Sequence, residues 1–456
     1  MSSVQQHAAE IVRTLRQRAH QAYFAGGCVR DLLLGREPAD YDVATDATPQ
    51  QVMQIFPQTY AVGEQFGVVL VPESDGATGV LARPGEPGKR TVEVATFRSD
   101  VSYSDGRHPD QVRFTKDPQE DVQRRDFTIN GMMLDPATNE VLDFVGGRED
   151  LNVGVIRAIG DPERRFAEDK LRMLRAVRFA ARFDYKIEPA TLAAIQQLAP
   201  KIHQVSSERV REELTKMLTE GRASQAFELL DTTKLLPEVL PEIAAMQGVE
   251  QPPQYHPEGD VFVHTLLLLE KLRPGASGSI SKTLAWGALL HDVGKPPTFR
   301  VAPDRIRFDG HVEVGVKMAA EICRRLRFSN DETDQILALV DNHMRFGQVQ
   351  RMNQSTLKKF LRLPAFDEHL ELHRIDCLSS HGQLDAYDYA QQQLRSIPAE
   401  AIRPAPLITG EDLIEAGYEP GPRFREILAA IEDAQLEGRL TSREAAMEYV
   451  RREFPT

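Results

Sequence analysis

The chain has 456 residues, 41% hydrophobic and 27% charged. That is ordinary globular composition at a length that calls for two to four domains. A net charge of −13 argues against a protein that coats nucleic acid broadly, but allows a local basic groove. Cys28, Cys323 and Cys377 are too few and too scattered for a disulfide framework or a Cys-rich zinc site, fit a reducing cytoplasm, and no apolar run approaches the ~20 residues that span a bilayer.

Residues 3–20 read as an amphipathic helix built on Ala8, Ile11, Val12 and Leu15, and not as a signal peptide. Tyr23-Phe24-Ala25 is a predicted strand ending at Gly26-Gly27, followed by a helix from Val29 to Leu34 that Gly35 and Pro38 stop. Tyr41–Ala44 is a strand and Pro49–Phe56 a helix; Val68–Val71 and Thr91–Phe97 read as a hairpin. Its connection, 73–89, is rich in Gly and Pro and longer than a turn requires. Residues 99–122 are polar and aperiodic and are predicted to form a long loop. Ile129–Leu134 and Val141–Phe144 are further strands. Beyond about residue 150, the 3.6-residue periodicity dominates. Pro252-Pro253 and the run Arg403-Pro404-Ala405-Pro406 mark breaks within that helical remainder.

The chemistry-bearing residues begin with Gly26-Gly27-Cys28-Val29-Arg30-Asp31 and, after one helix, Asp40-Tyr41-Asp42. Strand residues alternate faces, so Asp40 and Asp42 project together and Tyr41 opposes them. Paired hard carboxylates suit Mg²⁺, which shares its ligands with substrate phosphates. Glu93, on another predicted strand, is a candidate third carboxylate. Gly27 lets backbone N–H groups approach a phosphate, and Arg30 lies one turn on. Further along, Arg124-Arg125-Asp126-Phe127-Thr128-Ile129-Asn130 sets two guanidiniums beside a carboxylate. Residues 163–182 hold seven Arg or Lys against three Asp or Glu, and Glu168–Arg182 fits one helix. On it Asp169 and Arg172 would be neighbours, and Arg175 and Arg178 continue the cationic run and need anionic partners. Cytosine and adenine both present an amino donor beside a ring-nitrogen acceptor, whereas uracil and guanine present a carbonyl beside an N–H. One Asp acceptor next to one Arg donor therefore accepts C and A and rejects U and G.

These three motifs resemble those of the class II tRNA nucleotidyltransferases (CCA-adding enzymes) and bacterial poly(A) polymerases. The resemblance implies an α+β protein: a nucleotidyltransferase head of polymerase-β type over 1–150, with a mixed sheet plus helices, then an all-α neck and body over 151–250. It implies addition of C and A to tRNA 3′ ends from CTP and ATP by two-metal phosphoryl transfer, with Asp169 and Arg172 choosing the base in place of a nucleic-acid template. Tyr103–Pro109, within 99–122, matches the family's flexible loop, a lever for the switch from C to A that enzymes adding only CC largely lack. An A-adding enzyme or a poly(A) polymerase is the nearest alternative.

His264, His291-Asp292, His311, His343 and Asp376 resemble the HD phosphohydrolase pattern. This implies an HD domain over 251–385, followed by a helical tail over 386–456. His264, His291, Asp292 and Asp376 would form one metal site and His311 and His343 a second, holding Ni²⁺, Mn²⁺ or Fe²⁺. The implied side activity is phosphodiesterase or phosphatase action on damaged 3′ ends; a phosphohydrolase whose head only delivers RNA is the alternative of another class. A cytoplasmic monomer or weak homo-oligomer with no membrane partner is expected.

Overall fold

The computed structural model describes residues 3–61, 67–73, 91–100, 112–254, 256–275 and 278–455. The chain divides into two compact units, Met1–Pro241 and Glu242–Thr456.

The first unit opens with α1 (Ser3–Gln17), β1 (Ala22–Ala25), α2 (Gly27–Leu33), β2 (Asp42–Thr45) and α3 (Pro49–Ile55). β3 (Tyr60–Ala61), β4 (Val68–Pro72) and β5 (Thr91–Thr96) follow, then β6 (Arg98–Asp100), β7 (Val112–Phe114), α4 (Pro118–Gln123), β8 (Met132–Leu134) and β9 (Val141–Asp143). Seven strands form one mixed sheet in the order β3-β4-β5-β2-β1-β8-β9. β2 and β5 are parallel and the other neighbours antiparallel. Alternation sorts the two faces. Phe24 and Val43 belong to the face that α1 covers with Ile11 and Leu15. Ala25, Ala44, Met133, Phe97 and Val122 pack together on the other. Small side chains there keep that face shallow, which leaves a cleft beside Asp42.

The Val68/Thr91 hairpin forms as the alternation predicts. The predicted loop at 99–122 does not hold in its described part. Arg98–Asp100 pairs antiparallel with Val112–Phe114, and Asp117 caps α4 with Pro118 at its first position. Residues 74–89 of the Gly/Pro connection and the Tyr103–Pro109 match lie outside the described residues.

The rest of this unit is α5 (Gly147–Val153), β10 (Val155–Ile156), α6 (Pro162–Glu168), α7 (Leu171–Phe183), β11 (Lys186–Ile187), α8 (Pro189–Leu198), α9 (Ser207–Thr219) and α10 (Ala223–Thr232). The predicted single helix Glu168–Arg182 is two helices. Asp169 takes an extended backbone that ends α6, and its side chain accepts the N–H of Leu171, where α7 starts, at 3.0 Å. β10 and β11 pair in parallel, a short two-stranded element in an otherwise helical stretch.

The second unit is helical. Trp286, on the helix Lys282–Leu290, is fully buried with its ring 5.1 Å from Phe328. A further core gathers around Phe346, Phe360 and Phe366, and the tail closes over Ile427, Ile431 and Val450. A small hairpin, Arg300–Val301 with Ile306–Arg307, interrupts the helices. No described helix is long and apolar enough to cross a membrane.

Candidate functional site

Asp42 opens β2 directly opposite Glu93 on β5. Asp40 is exposed just before the strand, Tyr41 is buried with its ring 5.3 Å from Phe24, and Asp42 is half-buried. Tyr41 and Asp42 thus lie on opposite faces, whereas Asp40 precedes the strand rather than sharing it with Asp42. Burial, then the neighbouring Glu93 charge, push the Asp42 carboxyl up to about 6; Arg125 opposes them and Asp40 adds to them. Glu93, an exposed residue at the rim, is raised as well, by partial loss of water and by Asp40. Asp42 and Glu93 thus line one edge of a cleft of about 180 Å³ with Arg124 and Arg125 on its wall, and the charge of the exposed Asp40 lies close enough to act on both. A divalent cation suits this donor set, because it would offset the loss of water and the repulsion that together raise Asp42.

A second cavity, of about 500 Å³, runs from Gly26, Gly27 and Asp42 to Asp169, Arg172 and Arg209. Gly26 has φ +75, and a Cβ there would stand 3.0 Å from the Arg125 guanidinium, so the turn needs glycine. The lining arginines are held by carboxylates. Asp121, almost fully buried, takes Arg124 at 2.7 Å and Arg125 at 3.0 Å. Arg30 is buried, paired with Asp31 at 2.8 Å, bonded to Asn130 Oδ1 at 2.6 Å and laid over the Phe183 ring at 4.7 Å. Asn130 Nδ2 donates to Asp126 at 3.1 Å, and Asp126 takes Arg175 at 2.8 Å. Against the cost of burial, Arg175 and Asn130 hold the Asp126 carboxyl at about 2.

The base-reading candidates are each fixed separately. Arg172 donates to Glu168 at 2.9 Å and to the carbonyls of Arg124 and Arg165 at 3.0 and 3.1 Å. Arg209 grips both oxygens of Asp169, at 2.8 and 3.3 Å. Arg178 departs from expectation. It is buried away from the cavity, on Glu213 at 2.6 Å and Glu220 at 3.3 Å. Asp121, Arg209 and Glu213 were not singled out from the sequence; no local motif marks them, although the unmatched arginines called for carboxylates.

In the second unit, His264, His291, Asp292, His311, His343 and Asp376 converge. They come from the helices Val261–Glu270, His311–Arg325 and Phe366–Ser379, and from the ends of Lys282–Leu290 and Asn330–Asn342. A Cβ on Gly294 would strike the His311 carbonyl, so glycine permits the approach that brings His311 in. His264 Nε2 is 3.2 Å from Asp376, and His291 Nε2 is 3.1 Å from Asp292. The expected grouping changes in one respect. Asp292 also points its other oxygen to His343 and His311, at 3.8 and 3.9 Å, and so stands between the two groups.

Each ring spends Nδ1 on an acceptor: His291 on Ala288 O, His311 on Phe308 O, His343 on Val340 O and His264 on Glu258, all at 2.7–2.9 Å. For His291, His311 and His343 the acceptor is a carbonyl, which only accepts, so Nδ1 carries the proton and Nε2 the lone pair; His264, against the cost of its burial, is pushed up to about 9 by Asp376 and Glu258 on its two sides and frees its Nε2 only on losing a proton. All four Nε2 atoms are buried without a hydrogen-bond partner. Three inward lone pairs and the His264 ring, set around Asp292 and Asp376, fit divalent transition ions. Burial lowers His343 to about 4. His291 and Lys295, whose Nζ is 2.7 Å away, hold Asp292 well below the usual carboxylate range despite its burial. His256 and Glu258, which share a 2.9 Å contact beside His264, were not foreseen.

Three family models match the chain: the poly A polymerase head domain over 22–157, the probable RNA and SrmB-binding site of polymerase A over 184–247, and the HD domain over 261–373. The CCA-adding enzyme of Levilactobacillus brevis is 31% identical over 96% of each chain. That of Enterococcus faecalis is 44% identical over 46% of this chain, and there the chain spans about half of its relative's length, 48%. The structure of the Bacillus stearothermophilus CCA-adding enzyme in complex with CTP superposes with a TM-score of 0.73, at 28% identity over 99% of both chains.

Proposed function

The chain belongs to the CCA-adding enzyme family, and from that premise we propose that it adds C and A to tRNA 3′ ends from CTP and ATP without a nucleic-acid template. The observation that carries this reading is the junction of the Asp42–Glu93 carboxylates with an arginine-lined cavity that ends at Asp169 and Arg172. The CTP complex of the Bacillus stearothermophilus relative supports CTP as one substrate.

Asp40, Asp42 and Glu93 would hold magnesium, which neutralises triphosphate charge and activates a hydroxyl when bound. The tRNA 3′ oxygen attacks the α-phosphate, the bond to the β-phosphate oxygen breaks, and pyrophosphate departs along Gly27, Arg30, Arg124 and Arg125. Asp121, Asp126 and Asn130 keep these guanidiniums in place before substrate arrives, so little reorganisation remains for the reaction. Asp169 accepts the amino hydrogen of C or A, and Arg172 donates to the ring nitrogen. Three of the five Arg172 N–H groups are already bonded, which aims the rest. Arg175 supports the site through Asp126; Arg178 lies outside it.

We assign the head to 1–150, the neck and body to 151–250, the HD domain to 251–385 and the tail to 386–456, in a cytoplasmic monomer or weak homo-oligomer. His264, His291, Asp292, His311, His343 and Asp376 would bind Ni²⁺, Mn²⁺ or Fe²⁺, which supply Lewis acidity for phosphoester hydrolysis at damaged 3′ ends.

The test is addition to tRNA transcripts ending before CCA, after C and after CC, with CTP and ATP separately and together, resolved at one nucleotide. Growth that stops after CCA on the first transcript supports the reading. Extension of only the CC-ending transcript would make the protein an A-adding enzyme. Long A tails on any RNA would make it a poly(A) polymerase.

A further inference from the structure

A cavity of about 410 Å³ lies over the histidine–aspartate cluster, with Asp292, His311, His343 and Asp376 on one side. Its opposite wall comes from the segment between Asp292 and His311, which contains the Arg300–Val301/Ile306–Arg307 hairpin. This wall bears Arg305, Ile306, Arg307 and Phe308. A phosphate-only site needs cations and little apolar surface, yet here Phe308, Ile306, Met344 and Pro252 line the same space. Met344, on the cavity wall, is 57% exposed, and Phe299 beside the hairpin is 40% exposed. The Phe299 and Phe308 rings lie 6.0 Å apart.

The cations are graded in availability. Arg300 is taken by Asp309 at 2.7 Å and Arg307 by Asp304 at 2.8 Å. Among the described residues Arg305 has only a long 3.9 Å contact to Asp304, and its side chain is 49% exposed. Lys295 reaches both Asp292 and the face of Phe308, at 2.7 and 5.4 Å, and so ties the cluster to the hairpin. The volume is that of a small-molecule site, suited to one nucleotide and too small for a duplex.

We propose that this hairpin is the recognition element of the HD cavity: Arg305 binds the phosphate of a single nucleotide and Phe308 packs against its base. The site is therefore specific for nucleotide phosphoesters over phosphate esters that lack a base. The proposal rests on the phosphoester reading of the HD cluster, but it concerns binding, and binding is measurable without turnover.

The experiment is calorimetric titration of the full-length, metal-free protein with UMP, ribose 5-phosphate and inorganic phosphate, and of the Arg305→Gln and Phe308→Leu variants with the same probes. UMP is used because the Asp169/Arg172 pair should reject uracil in the head. Unchanged CTP affinity and an unchanged melting temperature verify that each variant is folded. UMP should bind at least about tenfold tighter than ribose 5-phosphate, the loss expected for one aromatic stacking contact. Phe308→Leu should remove that advantage and leave phosphate binding alone, while Arg305→Gln should weaken all three. Equal affinity for UMP and ribose 5-phosphate, or a Phe308→Leu variant that keeps the preference, overturns the proposal. An oligonucleotide ending in a 3′-phosphorylated uridine separates the two sources of nucleotide: tighter binding than UMP assigns the cavity to strand ends, and equal binding to free nucleotides. If UMP binds as stated but no metal-loaded form cleaves phosphoesters, the hydrolase reading fails and the recognition element stands.

Discussion

Asp42 and Glu93 are register partners on adjacent parallel strands, so two acidic side chains share one face of the sheet. Burial and that neighbour raise Asp42 to about 6, above its ordinary value of 3.8. The sign follows from linkage. A carboxyl whose folded value is raised weighs against the fold as it ionises, so the penalty is absent below 3.8, grows through about 6 and is full above it. Asp42→Asn should abolish nucleotide addition and yet stabilise the metal-free protein near neutral pH by ~2 kcal/mol, a figure discounted for partial exposure. Thermal melts at about pH 8 and about pH 4 test this: the stabilisation should appear only at the higher pH. A variant that keeps wild-type turnover would refute the carboxylate assignment.

Asp126 behaves in the opposite sense. Arg175 and Asn130 hold its carboxyl at about 2, so its contribution is complete above 3.8 and is lost as pH falls through about 2. Asp126→Asn should cost about 2 kcal/mol at neutral pH, and the difference from wild type should narrow below about pH 4. It should also raise the KM for CTP, because Asp126 connects Arg175 to the Asn130–Arg30 pair. Chemical denaturation at a series of pH values, with steady-state kinetics at neutral pH, measures both effects.

Arg178→Met separates the structural arginine from those in the cavity. It leaves the buried Glu213, among the described residues, with only Arg175 at 3.8 Å. Breaking a buried pair typically costs ~3 kcal/mol or more. A lowered midpoint of denaturation with an unchanged KM for CTP is expected. A tenfold rise in KM at unchanged stability would return Arg178 to the nucleotide site.

Local pattern revealed much of this. Alternation around Tyr41 and along 91–97 located the sheet that carries Asp42 and Glu93, and the Gly26-Gly27 turn was legible because positive φ selects glycine. What escaped was set by partners distant in sequence. Glu168-Asp169-Lys170 reads as helix by propensity, but Asp169 is bonded to Arg209, forty residues on, and the helix restarts at Leu171. Arg178 looked like Arg175 because both sit one turn apart in a cationic run; only α9, with Glu213, tells them apart. The helix after the β6–β7 ribbon was readable in principle, since Asp117-Pro118 is a start signal, but polar composition masked it.

Arg209 is expected to tune base choice through Asp169. Its fork occupies lone pairs on both carboxylate oxygens, and the Leu171 N–H takes another, which leaves one direction in which Asp169 can accept from a base. Arg209→Ala should raise the KM for CTP and ATP by ~10-fold or more, the value of a charge-assisted hydrogen bond, and increase misincorporation of UTP. Arg209→Lys should recover only part, because an ammonium cannot copy the fork. Single-nucleotide addition with each of the four triphosphates measures the ratio; unchanged selectivity in Arg209→Ala would leave Arg209 a purely structural role.

The four buried Nε2 atoms of His264, His291, His311 and His343 make a prediction about stability as well as chemistry. Each lacks a hydrogen-bond partner, at a typical cost of ~1–3 kcal/mol apiece, and one or two divalent ions would satisfy them all. Mn²⁺ or Ni²⁺ should therefore raise the melting temperature of the full-length protein by several degrees at micromolar metal, and chelation should reverse it. His343→Ala should reduce the bound metal without altering CCA addition in Mg²⁺, because the head draws on other carboxylates. Elemental analysis of the purified protein, paired with melting curves, gives both readings. A chain that binds no transition ion and melts at the same temperature with and without one would require water to satisfy these atoms, and would make the HD domain a scaffold without phosphohydrolase chemistry.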